Sequence, residues 1–161
     1  MPKAKSPPTV IDSAWLREYA AVDRSVAHNK KSALLVDGKP LGRVPCLAIC
    51  QAFDSAEVLL LFCDKRWVSR GVAGCSSVAE ARKRAEREYP GISKKWVKSK
   101  VTKAQATRLM RQQLLDQSCS FCGKPPYEVG RLFSAPAARI CDQCVQAFSI
   151  ETGKLLTETS G

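Results

Sequence analysis

Four of the eight cysteines form two matched pairs late in the chain, Cys119-Ser-Phe-Cys122 and Cys141-Asp-Gln-Cys144, with eighteen residues between them. A C-x2-C pair brings two sulfur atoms to one tight turn, and two such pairs can complete a tetrahedral shell around Zn²⁺. Because all four positions would then be filled by the protein, the ion would be structural. Its binding would stabilise a segment too small to hold a core alone. We therefore predict one structural Zn²⁺ per chain.

Spacing alone leaves two other interpretations of these cysteines open. They could be four buried thiols, or a redox-active dithiol, which a single C-x-x-C resembles. A dithiol of that kind is expected as one motif after a strand, whereas here there are two matched motifs. Gly123 follows the second cysteine at the point where the turn needs an unhindered backbone whose N–H groups face the thiolates. The metal site is therefore the favoured interpretation.

Other residues extend the cysteine pattern: Gly123-Lys124, Glu128-Val129, Leu132, Pro136, Ile140, Asp142-Gln143 and Val145. Together with the cysteines, they resemble the zinc-binding domain of ClpX, the unfoldase of a bacterial ATP-dependent protease. The resemblance covers about residues 118–150. It implies a small treble-clef-like fold that binds one Zn²⁺, dimerises through apolar surface and receives adaptors and certain substrates. It also implies the same four ligands and a set of apolar packing or dimer residues: Phe121, Val129, Leu132, Ile140 and Val145.

The sequence departs from that family in three respects. Ala135 stands where the family has glycine, and Pro125-Pro126-Tyr127 replaces a more polar stretch. In the family an ATPase follows the zinc domain, whereas this sequence continues only through residues 151–161 and contains no G-x-x-x-x-G-K-[ST] phosphate loop. We therefore expect no ATP-driven unfolding, and the resemblance implies a capacity to bind zinc and protein surfaces and to pair with itself.

The residues that precede the zinc module predict a domain of mixed structure. Apolar residues from Trp15 to Val26 recur at spacings of three and four, which predicts a helix over 13–27 with Asp12 or Ser13 at its N-cap. Residues 32–75 instead show short apolar runs at 33–36, 44–53, 57–63 and 67–75. Turn signals at Asp37-Gly38 and at residues 64–66 separate these runs. This pattern predicts a three- or four-stranded antiparallel meander.

Two further helices are predicted before the zinc module. The first has Ser76 or Ser77 as its cap, Glu80 in a capping-box position and Pro90-Gly91 at its end. Its buried face would comprise Val78, Ala81, Ala85 and Tyr89. The second begins at Thr102, ends near Gln117 and has one face formed by Ala106, Leu109, Met110 and Leu114.

The predicted fold class is α+β: an N-terminal antiparallel β-meander flanked by helices, plus a C-terminal treble-clef-like zinc module. The predicted organisation is a flexible basic tail (1–10), an α+β domain (11–97), a basic connector with an amphipathic helix (98–117), the zinc module (118–150) and a C-terminal tail (151–161).

The other four cysteines, Cys46, Cys50, Cys63 and Cys75, lie in predicted strands. A second metal site built from them is conceivable, but free cysteines more often behave as small buried hydrophobic residues. The single histidine, His28, follows the first predicted helix, where an imidazole commonly complements the helix dipole or is exposed. We find no paired acids, no Ser/His/Asp set and no partner that would make His28 a general base, so we predict that the protein is not an enzyme.

The formal net charge is +11, and nine units of the excess lie between residues 82 and 111. Such a belt could contact nucleic-acid phosphates or an acidic protein, or could simply be the solvated face of helices. Trp96 within the belt could stack on a base. The candidate contact residues are Arg82, Lys83, Arg84, Arg87, Lys94, Lys95, Trp96, Lys98, Lys100 and Lys103.

The longest apolar run is residues 58–63, far below the roughly 20 residues that span a bilayer, and the N-terminus lacks the apolar core of a secretory signal. We expect reduced thiols, a cytoplasmic location and no membrane partner. The favoured function is a non-catalytic, adaptor-like protein-interaction factor that dimerises through its zinc module. The alternatives are a nucleic-acid-binding accessory protein that uses the belt, with zinc as scaffold, and an N-terminal domain that neutralises or senses a partner.

Overall fold

The computed structural model describes residues 6–30 and 34–158. Parts of three predicted segments lie outside these residues: 1–5 of the tail, 32–33 at the start of the meander region, and 159–161 at the C-terminus. The strands are β1 (Val10–Ile11), β2 (Ala14–Ala21), β3 (Leu35–Val36), β4 (Lys39–Pro40), β5 (Cys46–Ala52), β6 (Val58–Cys63), β7 (Ser69–Cys75), β8 (Val97–Lys98), β9 (Leu132–Ser134) and β10 (Arg139–Cys141). The α-helices are α1 (Val78–Glu88), α2 (Lys103–Gln117) and α3 (Asp142–Glu158), and 3₁₀ turns cover Ile92–Lys95 and Pro126–Glu128. The predicted α+β class is confirmed.

The chain divides into two compact units, one ending at Leu109 and one beginning at Met110. The boundary therefore falls inside α2, within the segment 98–117 predicted as a connector and helix. Strand β8, at the start of that connector, pairs with β2 of the first unit. Helix α3 continues through Glu158, into the segment 151–161 predicted as the C-terminal tail. Among the described helices, none is both long and apolar enough to cross a bilayer.

The first unit is built on an antiparallel sheet with the order β1-β2-β5-β6-β7, and β8 shares with β1 the edge of β2 that does not face β5. The predicted runs 44–53, 57–63 and 67–75 are its consecutive strands β5, β6 and β7. The remaining predicted run, 33–36, is not in this sheet: among the described residues, Leu35–Val36 form β3, which pairs with β4 across a two-residue turn. Asp37 and Gly38 in that turn have φ values of 52° and 73°, which fits the predicted Asp-Gly hairpin.

The predicted helix over residues 13–27 is wrong: residues 14–21 form strand β2. The pairing of β2 with β5 passes from Leu16↔Cys50 to Glu18↔Ile49, so Arg17 is an extra residue in a β-bulge. The bulge places Leu16 and Tyr19, which are three residues apart, in the same apolar cluster. In a regular strand residues three apart face opposite sides, so the bulge reproduces the spacing of a helix. Asp12 and Ser13, predicted as caps, have positive φ values and form the tight turn between β1 and β2.

Apolar clusters cover both faces of the sheet. The first core lies on the face that α1 covers and includes Leu47, Ile49, Leu60, Phe62, Ala81, Ala85 and Tyr89. The second core lies on the opposite face and includes Leu16, Cys46, Ala48, Cys50, Leu61, Cys63 and Trp67. A strand with both faces covered reads as a continuous apolar run, which is the pattern of residues 58–63.

Helix α1 begins and ends as its sequence predicts. The hydroxyl oxygen of Ser77 accepts a hydrogen bond from the N–H of Glu80, and the Glu80 carboxylate accepts from the N–H and hydroxyl of Ser76. Gly91, just after the helix, has φ +94°, a conformation that favours glycine. Helix α2 begins after Thr102, whose side chain accepts from the N–H of Gln105. Of its predicted apolar face only Ala106 is buried, while Leu109 and Leu114 are exposed.

One ion pair ties α1 to the sheet. Arg82 donates to both carboxylate oxygens of Glu18, with Nε–Oε2 and Nη2–Oε1 distances of 2.8 and 2.6 Å. The Glu18 side chain is 7% exposed, whereas that of Arg82 is 43% exposed. This hydrogen bonding raises the pKa of Arg82. The pair therefore fixes the helix over β2 just after the bulge.

Candidate metal centre and charged surfaces

The four predicted zinc ligands converge in the second unit. Their sulfur atoms all lie within 4.8 Å of one another. Two of the separations are 3.9 Å, between Cys119 and Cys144, and 3.7 Å, between Cys122 and Cys141. Zn–S bonds of about 2.3 Å in a tetrahedron place sulfur atoms about 3.8 Å apart. The arrangement thus fits one structural zinc ion with four thiolates and no open position for a substrate.

Three local elements position the ligands. Cys119 and Cys122 lie on a tight turn in which the N–H of Gly123 donates to the carbonyl of Cys119. Gly123, where an unhindered backbone was predicted, has a left-handed φ of +73°. Cys141 ends β10, which pairs with β9 in a hairpin, and Cys144 lies in the first turn of α3. A turn, a hairpin and a helix around one metal site form the predicted treble-clef-like module.

Backbone N–H groups point at the sulfur atoms. The N–H of Cys141 donates to Cys119 Sγ at 3.3 Å, and that of Cys144 to Cys141 Sγ at 3.4 Å. Burial opposes ionisation of Cys119, but N–H groups of Cys122, Phe121 and Cys141 outweigh it and lower the pKa of that thiol to about 6. Burial and the neighbouring sulfur atoms raise the pKa of Cys144 to about 12. Four adjacent thiols resist simultaneous ionisation, so a divalent cation is what lets all four be thiolates.

Residues 117–149 match the family model of the ClpX C4-type zinc finger. This segment is a zinc finger of that type. The match covers about a fifth of the chain and none of the first unit. No solved structure matches the chain.

The module has almost no apolar interior. Among its described side chains only Ser118, Cys119 and Cys141 are buried. Of the predicted packing or dimer residues, Val129, Leu132 and Ile140 are half-buried, while Phe121 and Val145 are exposed. The metal centre therefore takes the place of a hydrophobic core.

Sequence reasoning missed most of the exposed apolar surface of the zinc finger. Phe148 of α3 contacts Phe121 edge to face, with ring centroids 5.4 Å apart. Beside it lies a groove of about 490 Å³, which Ile140, Val145 and Phe148 help to line. The spacing of Val145 and Phe148, three apart in a helix, was the available signal. Tyr127, Phe133 and Ile150 are exposed as well.

The other four cysteines do not form one cluster. Cys46, Cys50 and Cys63 belong to the second core, whereas Cys75 belongs to the first core on the opposite face of the sheet. Within residues 6–30 and 34–158 the one group able to hold a metal is the zinc-finger set. Burial raises the pKa of Cys63 to about 12 and raises that of Cys50 further. These thiols are core residues.

The basic belt separates into paired and unpaired groups. Arg82 is paired with Glu18, Arg84 with Glu88 and Lys95 with Asp23. Trp96 is half-buried against the first core, and its Nε1 atom is buried without an acceptor among the described residues. Stacking on a base would require its indole to leave this packing. Six candidates are exposed and form no ion pair with any described residue: Lys83, Arg87, Lys94, Lys98, Lys100 and Lys103.

Proposed function

We propose that the protein is a non-catalytic, adaptor-like interaction factor that forms a homodimer through its zinc finger. The observation that carries this proposal is the exposed apolar surface of the finger, which comprises Phe121, Tyr127, Phe133, Val145, Phe148 and Ile150, each between 38% and 79% exposed. Isolated apolar residues on a surface are ordinary, but a contiguous apolar patch typically marks an interface. The edge-to-face pair of Phe121 and Phe148 beside the groove is such a patch.

Electrostatics favour a second copy as the occupant of this surface. Residues 110–161 contain five basic and five acidic side chains, whereas residues 1–109 contain the remaining 21 basic and ten acidic ones. Two zinc fingers can therefore approach each other without the repulsion that two copies of the first unit would meet. A Zn²⁺ ion with four thiolates adds only about two negative charges. ClpX-type zinc domains are often involved in dimerisation or protein interaction, which agrees with this choice.

Sedimentation equilibrium of the zinc-loaded full chain and of Phe148→Ser tests the proposal. We expect the wild type to dimerise and the variant to dimerise at least tenfold more weakly while retaining one zinc ion per chain. Val72→Ser is the matched control, because Val72 is also about half exposed but lies in β7 of the first unit. A wild type that stays monomeric at tens of micromolar contradicts the homodimer. A Phe148→Ser variant that dimerises like the wild type contradicts the assignment of the interface.

A second candidate is a nucleic-acid-binding accessory protein. It is favoured by the six exposed, unpaired belt residues, because several such cations acting together give salt-dependent binding to phosphates. An electrophoretic shift with single- and double-stranded oligonucleotides, titrated with salt, tests this function. Absence of a shift at low salt rules it out.

A further inference from the structure

The fold brings basic residues from distant parts of the sequence to the single histidine. The imidazole of His28 is stacked on the ring of Tyr89, with centroids 4.9 Å apart and planes 27° apart. Tyr89 is buried at the end of α1, and its hydroxyl accepts a hydrogen bond from the N–H of Val44 at 3.1 Å. One fixed ring thus holds the segment of His28 on one side and the segment of Arg43–Val44 on another.

The positive charges of Arg43 and Lys30 act on His28. Both side chains are exposed and form no ion pair with any carboxylate in residues 6–30 and 34–158. Arg43 Nη2 donates to the main-chain carbonyl of Asp23 at 2.6 Å, which orients the guanidinium without neutralising it. The Asp23 carboxylate is occupied by Lys95 at 2.8 Å. The guanidinium therefore keeps its charge and further N–H donors for a ligand.

The C-terminal end of α1 does not neutralise the charges of Arg43 and Lys30 either. Two of its last carbonyls accept hydrogen bonds from uncharged donors: the N–H of Asn29 donates to Glu88, and Asn29 Nδ2 donates to Arg87. The carboxylate of Glu88 is buried and paired with Arg84. Burial, and then repulsion from Arg43 and Lys30, lower the pKa of His28, which agrees with an uncompensated positive field at this position.

We propose that Lys30, Arg43 and His28 form a binding site for a phosphate group, and that this phosphate belongs to a nucleic-acid chain. Guanidinium and ammonium groups are the usual partners of phosphate, and the half-buried imidazole on Tyr89 offers an aromatic face for a base. Arg87 is exposed and adjoins this group, since Asn29 Nδ2 donates to its main-chain carbonyl. Its guanidinium can contact a further phosphate of the nucleic-acid chain. The proposal rests on the second candidate function and assigns its contact to residues that lie mostly outside the belt 82–111.

The test uses the full chain with zinc bound. Because the chain has one histidine, the imidazole ¹H–¹³C signals of His28 need no further assignment. The probes are a twelve-nucleotide single strand, inorganic phosphate and poly-glutamate, each titrated at low salt and again in 0.3 M salt. We expect the oligonucleotide to shift the His28 signals and to raise the pKa of His28, since a bound phosphate offsets the repulsion from Arg43 and Lys30.

Substitution then locates the contact. Arg43→Ala and Lys30→Ala should each make the slope of log K against log salt less steep by about 0.7, the value for one lost single-strand phosphate contact. Lys124→Ala is the control, because it removes one exposed charge from the zinc finger, outside the belt and outside residues 1–109. This variant should retain the His28 response.

Three other results of the titration would each contradict a specific claim. If the oligonucleotide binds without moving the His28 signals, the second candidate function stands and this site is wrong. If no oligonucleotide binds at low salt, both are wrong. If inorganic phosphate or poly-glutamate shifts His28 as strongly as the oligonucleotide, the site binds free anions or acidic protein, and its assignment to nucleic acid is wrong.

Discussion

The ion pair between Arg82 and Glu18 stabilises the protein, and removing Arg82 should destabilise it much more than removing the charge of Glu18. Arg82→Met keeps an aliphatic stem but removes both donors to a carboxylate that is 7% exposed. A buried charge left without its partner typically costs 3–5 kcal/mol, and the open side of this pair places the expected loss near the lower end, about 3 kcal/mol. Glu18→Gln leaves an oxygen acceptor, and Arg82 can reach water because its side chain is 43% exposed. That loss should be about 1 kcal/mol.

Urea denaturation followed by tryptophan fluorescence measures both losses. Trp15, Trp67 and Trp96 all lie in the first unit, so the signal reports that unit alone. Lys83→Ala removes a neighbouring exposed charge without an ion pair and should stay within about 0.5 kcal/mol of the wild type.

The double variant Glu18→Gln/Arg82→Met decides the mechanism. If the cost of Arg82→Met is the unpaired carboxylate, removing that charge as well should recover about 1–2 kcal/mol. An Arg82→Met variant as stable as the wild type would refute the reasoning. So would a double variant whose loss equals the sum of the single losses, because the two residues would then not interact.

Three further predictions concern the zinc finger, the turn after α1 and the core thiols. Cys141→Ser should abolish zinc binding, measured by metal analysis, and remove the hydrogen-exchange protection of α3. Cys75→Ala should do neither, because structural zinc supplies about 10–16 kcal/mol to such a segment and Cys75 lies in the first core. Glu86 accepts from the N–H groups of Gly91 and Ser93 and from the Ser93 hydroxyl, and the first of these bonds contributes most to lowering its pKa. The Glu86 carboxylate should contribute less than about 1 kcal/mol to the free energy of unfolding at this partly exposed position. The contribution should be fully present at pH values above the ordinary glutamate pKa and should be lost as the pH falls through the lowered pKa of Glu86 in the folded protein. Glu86→Gln should accordingly be less stable than the wild type in urea at pH 7 and equal to it near pH 3. Native protein at pH 8 should resist iodoacetamide at Cys50 and Cys63, read by mass spectrometry, because burial raises the pKa of both thiols; labelling there as fast as in urea would contradict their place in the core.

The parts of the fold that the sequence predicts are those set by local chemistry. The zinc ligands follow from two short spacings, and α1 follows from its caps at Ser77 and Gly91, each determined within a few residues. Strand β2 is set differently. The extra residue at Arg17 is recognisable only against β5, so no window within residues 13–27 distinguishes a bulged strand from a helix. The pair of Glu18 with Arg82 is likewise invisible in sequence, because it joins residues 64 positions apart.

The two candidate functions use different units, and this makes them compatible. The apolar surface lies on the zinc finger, whereas the whole charge excess lies in residues 1–109. A homodimer held by its fingers would present two basic units to one nucleic-acid chain, so the second contact would become intramolecular and avidity would rise. The slope of log K against log salt would then be larger for the dimer, since more phosphates are neutralised at once. Measured on the same oligonucleotide, Phe148→Ser should lower that slope without affecting any residue of the basic surface. If the slope is unchanged although the variant is monomeric, the basic unit binds alone and the finger serves another partner.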